Sequence, residues 1–263
     1  MRFPLHALAA ILLSIAAAPA AIPVFAQAPQ QAAPAPAPAK PYKPVAVALP
    51  RPLAEPGFDA FRKQLAEAAQ KQDRAGLAKL VVAQGFFWEA EDGDKADKKK
   101  SGSDNLASAI GLSGKDAPGW ELLMSYSADP TAAPIPDRQG VVCAPADPAF
   151  DDQALEELAK ATDTDPGEWG YPVTAGVEVR AGAQPNSPVT EKLGMHFVRV
   201  MPDADTGVPG AQNQMPALRI VLPSGKTGYV AGNAISPLGN DQLCYIKEAD
   251  GWKIAGFIGL GAQ

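Results

Sequence analysis

Residues 217–231 read ALRIVLPSGKTGYVA, and this stretch decides how the C-terminal half of the chain folds. Two runs rich in β-branched and apolar residues flank the turn sequence at residues 223–226, which is typical of a β-hairpin. Gly225 permits the tight turn. Similar short runs separated by turns extend over residues 169–239. About five short strands in such a span predict a small, twisted barrel.

Residues 176–238 contain five pieces in order: a Val-Arg-Ala start, a Ser-Pro-Val step, a Leu-Gly turn, a Pro-x-Gly-x-x-Gly-Tyr-Val hairpin and a short last strand. They begin at Val179, Ser187, Leu193, Pro223 and Ile235. In this order and spacing they resemble the pattern of bacterial SH3-like domains. The loop at residues 203–216 is longer than usual, and Tyr229 stands where tryptophan is commoner. The whole chain resembles exported alphaproteobacterial proteins of the same arrangement, which implies no particular activity.

The resemblance implies an SH3-like barrel, and related domains include cell-wall peptide binders, targeting modules and purely structural domains. Fold alone does not choose among these functions. SH3-type barrels often present aromatic rims, so we take Tyr171, Arg180 and Tyr229 as candidate ligand contacts. Burial in the core is the competing expectation for the aromatic residues.

A last hairpin is predicted at residues 242–258, around an Ala-Asp-Gly turn at residues 249–251. Since the barrel already has its strands by Leu238, we expect the segment 240–260 to complete the first domain. The alternative is that it extends the barrel. Cys143 and Cys244 are the only cysteines, and in an oxidising compartment two lone cysteines pair. If the hairpin completes the first domain, the disulfide would join two ends of that domain. If the hairpin extends the barrel, the disulfide would join the two domains.

Residues 57–168 predict a helix-rich α+β domain. Phe58, Phe61 and Leu65 follow helical spacing and predict an amphipathic helix, and Asp151 or Asp152 can cap another helix. Short apolar runs near residues 85–88 and 141–143 predict strands. The expected fold class is therefore α+β: this domain, an SH3-like barrel at residues 169–239 and a C-terminal hairpin.

The first residues predict export. A short apolar run at residues 5–18 follows Arg2, and small residues then lead to a signal-peptidase site after Ala26. Cleavage after Ala28 also fits the small-x-small rule but would leave a proline next to the bond. We expect a signal peptide at residues 1–26, an extended Ala/Pro-rich linker at residues 27–56, and a soluble periplasmic or secreted protein. An uncleaved anchor is the alternative, although the apolar run is short for a span.

Composition excludes several function classes. The net charge of −6 gives no attraction for phosphate backbones, so a nucleic-acid partner is not expected. Asp92, Asp94 and Asp97 suggest a calcium loop, but the sixth and twelfth places of that pattern hold Asp97 and Ser103, where glycine and glutamate are needed. His196 lies in a predicted strand, and no Gly-x-Ser-x-Gly motif occurs. Neither a metal nor a cofactor is predicted.

The function expected from the sequence is therefore a non-catalytic binding or accessory module of the cell envelope, contacting cell-wall peptide or another envelope protein. An envelope hydrolase with a carboxylate site in the first domain is the alternative, and a structural protein without a small ligand is the third. Enzymatic activity is thus left open. A deep pocket with paired acids of raised pKa would favour the enzyme, and a shallow aromatic cleft would favour the binder.

Overall fold

The structure is a computed structural model, and it describes residues 39–113, 117–201 and 217–261. The predicted signal peptide and residues 27–38 of the predicted linker lie outside the described residues. The helices are α1 (Phe58–Gln70), α2 (Arg74–Lys79), α3 (Gly102–Ala109), α4 (Gly119–Ala128) and α5 (Asp152–Thr162). The strands are β1 (Val47–Ala48), β2 (Phe87–Ala90), β3 (Gly93–Asp94), β4 (Ala133–Pro134), β5 (Val141–Ala144), β6 (Ala149–Phe150), β7 (Trp169–Pro172), β8 (Glu178–Arg180), β9 (Val189–Lys192), β10 (Val198–Val200), β11 (Ala217–Val221), β12 (Thr227–Ala231), β13 (Ile235–Pro237), β14 (Gln242–Glu248) and β15 (Gly251–Ile258). The α+β class predicted from the sequence is confirmed.

Helices α2, α3 and α5 begin at a capping side chain, and α1 buries the face that the spacing predicts. Phe58, Phe61 and Leu65 of α1 are buried, as the amphipathic pattern requires. Ser101 caps α3 and Asp151 caps α5, each accepting a hydrogen bond from a backbone amide three residues on. Within the part of the chain that is described, no helix has the length and apolarity to cross a membrane.

A six-stranded sheet with helices α1 to α4 forms the first core. Its strand order is β3-β2-β15-β14-β5-β4, and all neighbours are antiparallel except the parallel pair β15 and β2. The hairpin β14–β15 therefore lies in the middle of this sheet. Cys143 of β5 and Cys244 of β14 are partners in register, and the predicted disulfide between them is confirmed. Both cysteines are buried.

A seven-stranded antiparallel sheet forms the second core, in the order β13-β7-β10-β11-β12-β8-β9. Val179, Val198 and Ile220 are fully buried within it. Gly225 has a φ of 78° in the β11–β12 turn, which is the left-handed conformation that glycine adopts without strain. Over the described residues β13 and β9 end the order without pairing with each other, so these strands form an open sheet rather than a closed barrel.

Residues 42–53, here called the strap, connect the two sheets along one side of the molecule. The Tyr42 amide donates to the carbonyl of Pro223 in the β11–β12 turn, and the Leu53 amide donates to Pro130 after α4, each at 2.9 Å. Between them β1 pairs with β6. A third core forms where the strap and α5 meet the second sheet, and it includes Val45, Val47, Leu158, Trp169 and Phe197.

The strap differs from the extended linker that the sequence predicts through residue 56. Proline removes amide donors, but the amides of Tyr42, Val47 and Leu53 all donate to carbonyls of the folded body. Burial of Val45 and Val47 supplies the hydrophobic stabilisation that an exposed tether lacks. Contacts with the folded body therefore occur as early as Tyr42, well before residue 57.

Candidate binding cleft

An open cleft of about 540 Å³ lies where the strap, the end of α4 and the edge of the seven-stranded sheet meet. Five separate segments line it. They are residues 49–50 of the strap, residues 122–131 around the end of α4, Pro145 and Ala146 after β5, residues 171–173 at the end of β7, and residues 236–241 from β13 to the start of β14. Its size is in the range of small-ligand and peptide pockets. We call it the junction cleft.

Apolar side chains form one part of the junction cleft and remain accessible to solvent. Leu49 is 36% exposed and Val173 is 45% exposed, and both belong to the few large hydrophobic residues that the described surface exposes. Leu122 of α4 and Pro145 add to the same lining. Exposed apolar residues that share one concavity are typical of a binding surface, whereas single ones are ordinary.

Two carboxylates, Asp129 and Asp241, line the polar part of the cleft. Oδ1 of Asp129 accepts hydrogen bonds from the amide and hydroxyl of Thr131, at 2.7 and 2.6 Å. Oδ1 of Asp241 accepts from the Leu260 amide at 3.3 Å. Neither carboxylate forms a salt bridge with any residue that the structure describes. The cleft therefore carries negative charge that its own walls do not neutralise.

The carboxylates of Asp129 and Asp241 raise the pKa values of three tyrosines. Burial raises the pKa of Tyr126, and Asp241 raises it further. Burial also raises the pKa of Tyr171, against the opposing hydrogen bond with Ser236, and Asp147 and Asp129 add to the increase. The phenols therefore stay neutral at physiological pH and keep their hydroxyl protons.

The third tyrosine, Tyr245, does not line the cleft. Its side chain is fully buried against α1, with its ring 5.3 Å from that of Phe58, and its hydroxyl has no hydrogen-bond partner among the described residues. Burial raises its pKa strongly, Tyr126 and Asp129 raise it further, and Arg62 opposes the increase. Tyr245 therefore belongs to the core and not to the ligand-accessible surface of the cleft.

The acid with a raised pKa does not lie in the cleft lining. Burial raises the pKa of Asp147, and a hydrogen bond from Gln242 opposes this. Gln242 donates to Oδ2 of Asp147 at 3.3 Å and to the carbonyl of Pro145 at 2.8 Å, which ties this carboxyl into the fold. Acid–base catalysis by two carboxyl groups needs both at the substrate. The lining has two carboxylates, Asp129 and Asp241, but it does not include Asp147, the carboxyl whose pKa burial raises.

The structure does not bring the three predicted ligand contacts together. Tyr171 lines the junction cleft and is 7% exposed, its ring packing against Phe197. Tyr229 and Arg180 are cross-strand partners in β12 and β8, which lie three and four positions from β7 in the sheet order. Arg180 donates to the carbonyl of Ser187 and to Glu178, so its guanidinium is held by its own hairpin.

The sequence did not indicate the other cleft residues. Asp129, Asp241, Leu49 and Val173 come from four segments that are far apart in the chain. A weak signal existed at Asp129, which begins an Asp-Pro turn after an apolar helix. The remaining three have no local pattern that separates them from ordinary surface residues.

The other residues considered for chemistry have structural partners. Nδ1 of His196 lies 3.0 Å from the carbonyl of Phe197. Oδ1 of Asp94 accepts from the amides of Trp88 and Ala96, which shapes the β2–β3 turn. Throughout the described ranges there is no group of three or more histidine, cysteine, aspartate or glutamate side chains that could hold a metal ion.

No protein-family model, curated protein or solved structure matches the chain. The function is therefore argued from the geometry of the junction cleft.

Proposed function

We propose that the protein is an exported, non-catalytic binding protein of the cell envelope, and that it holds cell-wall peptide in the junction cleft. The observation that carries this proposal is the joint presence of exposed Leu49 and Val173, the phenol of Tyr171 and two unneutralised carboxylates in one open concavity. A peptide offers both apolar and polar groups along one extended chain, which such a mixed lining suits.

Export is part of the proposal. The predicted signal peptide at residues 1–26 would bring the chain to an oxidising compartment, and the buried disulfide between Cys143 and Cys244 is of the kind that persists there. We place the mature protein, residues 27–263, in the periplasm or outside the cell.

The seven-stranded sheet is proposed to be an open relative of the SH3-like barrel. Two features support this: the hairpin β11–β12 carries the Pro-x-Gly motif with its tight turn at Gly225, and β12 pairs with β8, which carries the Val-Arg-Ala start. In this arrangement the sheet contributes Tyr171, Val173 and Ser236 to the cleft, so binding uses its β7–β13 edge rather than the surface near Tyr229.

The hydrolase alternative has less support. Asp147, the carboxyl whose pKa burial raises, lies outside the cleft lining and is hydrogen-bonded to Gln242. A hydrolase would release soluble fragments from its substrate, and a binding protein would not. The same assay can therefore separate the two functions.

Co-sedimentation of residues 27–263 with purified cell-wall sacculi tests the proposal. The Val173→Arg variant fills the cleft with a long side chain, and Val189→Arg is its matched control, because Val189 is 44% exposed on the edge strand β9, away from the cleft. We expect saturable sedimentation of the wild type and of Val189→Arg, at least tenfold weaker binding of Val173→Arg, and no release of soluble fragments.

Two results would contradict the proposal. Absence of sedimentation would exclude cell-wall peptide and favour an envelope protein as the partner. Equal binding by Val173→Arg, with loss in a Tyr229→Ala variant, would move the site to the surface around β12.

A further inference from the structure

We infer that the junction cleft recognises a primary ammonium group on its peptide ligand, with the carboxylates of Asp129 and Asp241 as its counter-ions and Leu49 and Val173 as the surface for the adjoining hydrocarbon chain. This inference rests on the proposed function and specifies the ligand chemistry of the same site.

The carboxylates have capacity for an incoming cation. In each, Oδ1 accepts hydrogen bonds from nearby groups of the chain, while no described residue donates to Oδ2 of either Asp129 or Asp241. An ammonium group brings three donors and a compact positive charge. It can therefore bind these oxygens without disturbing the turns that their partners hold.

The apolar lining matches the rest of such a group. A lysine-type side chain carries its charge at the end of a flexible hydrocarbon stem that packs on apolar surface while the charged end stays polar. Leu49 and Val173 expose apolar area inside the same cleft as the two carboxylates. Apolar area and negative charge in one concavity therefore favour an alkylammonium over an inorganic cation.

Isothermal titration with two synthetic peptides tests the inference on residues 27–263. The probes are acetyl-Ala-Leu-Lys-Ala-Ala-amide and the same peptide with its lysine Nε-acetylated, which removes the charge and keeps the length. We expect the charged peptide to bind at least tenfold more tightly than the acetylated one. Its affinity is expected to fall as salt is raised, because exposed charge pairs are screened.

Asp241→Asn is the informative variant, since asparagine keeps the acceptor that the Leu260 amide uses and removes the charge. It is expected to weaken the charged peptide about tenfold and leave the acetylated peptide unchanged. Asp152→Asn, on the exposed first turn of α5, is the matched control and leaves both affinities unchanged. Equal affinities of the two peptides, or no detectable binding of the charged one, would overturn the inference.

Failure of this inference is distinguishable from failure of the proposed function. Sacculus sedimentation that depends on Val173 but not on Asp241 would retain the binding function and exclude ammonium recognition. Loss of sedimentation itself would remove the function on which the inference rests.

Discussion

Removal of the Cys143–Cys244 disulfide is expected to destabilise the folded state by about 4 to 5 kcal/mol. The bond joins residues 101 positions apart, and in the chain-entropy model a loop of about 100 residues gives roughly 4.7 kcal/mol of stabilisation. The cysteines are cross-strand partners in neighbouring strands β5 and β14, and the loop between them contains the whole seven-stranded sheet. Opening the bond therefore releases most of the second half of the chain in the unfolded state.

The assay is thermal unfolding of the double variant Cys143→Ala/Cys244→Ala against the oxidised wild type. A domain of this size loses about 2 to 4 °C of Tm per kcal/mol, so we expect a fall of roughly 8 to 20 °C. A reductant should lower the wild-type Tm by a similar amount and leave the double variant unchanged. A fall below about 4 °C in the double variant would refute the loop-entropy argument.

Two further predictions concern the strap and an ion pair. Tyr42→Phe removes the hydroxyl that donates to the Val221 carbonyl at 2.9 Å and should reduce the free energy of unfolding in urea by about 1 kcal/mol. An unchanged midpoint would show that this hydrogen bond does not stabilise the fold. Hydrogen bonds from the Asp165 amide and from Arg199 lower the pKa of Glu168. The ionised carboxylate therefore stabilises the folded state at pH values above the usual glutamate pKa. This stabilisation is lost as the pH falls through the lowered pKa of the folded state. Glu168→Gln should therefore cost up to about 1 kcal/mol near neutral pH and nothing in acid, and a cost independent of pH would contradict the ion-pair account.

Local patterns predicted much of the secondary structure because they act over a few residues. The spacing of Phe58, Phe61 and Leu65 predicted α1, the cap at Asp151 predicted α5, and the Ala-Asp-Gly turn before Trp252 lies between β14 and β15. These signals need no knowledge of distant partners. The disulfide also followed from the number of cysteines alone.

Tertiary partners explain what the sequence did not predict. Proline-rich composition indicated a linker as far as residue 56, but Val45 and Val47 are buried by α5 and the second sheet, whose residues come more than 100 positions later. The same holds for the cleft, because Leu49, Asp129 and Asp241 line it together although they are far apart in the chain. Tyr171 was the one predicted contact in this cleft, and its aromatic character rather than any spacing pointed to it.

The central claim is that the junction cleft binds cell-wall peptide without cleaving it. The most direct test is nuclear magnetic resonance of isotope-labelled residues 27–263, titrated with soluble peptide released from sacculi, followed by mass analysis of the recovered peptide. The account predicts shifts concentrated at the amides of Val173, Asn240 and Asp241, with the peptide recovered intact. Shifts centred on Tyr229, or recovery of a cleaved peptide, would contradict it.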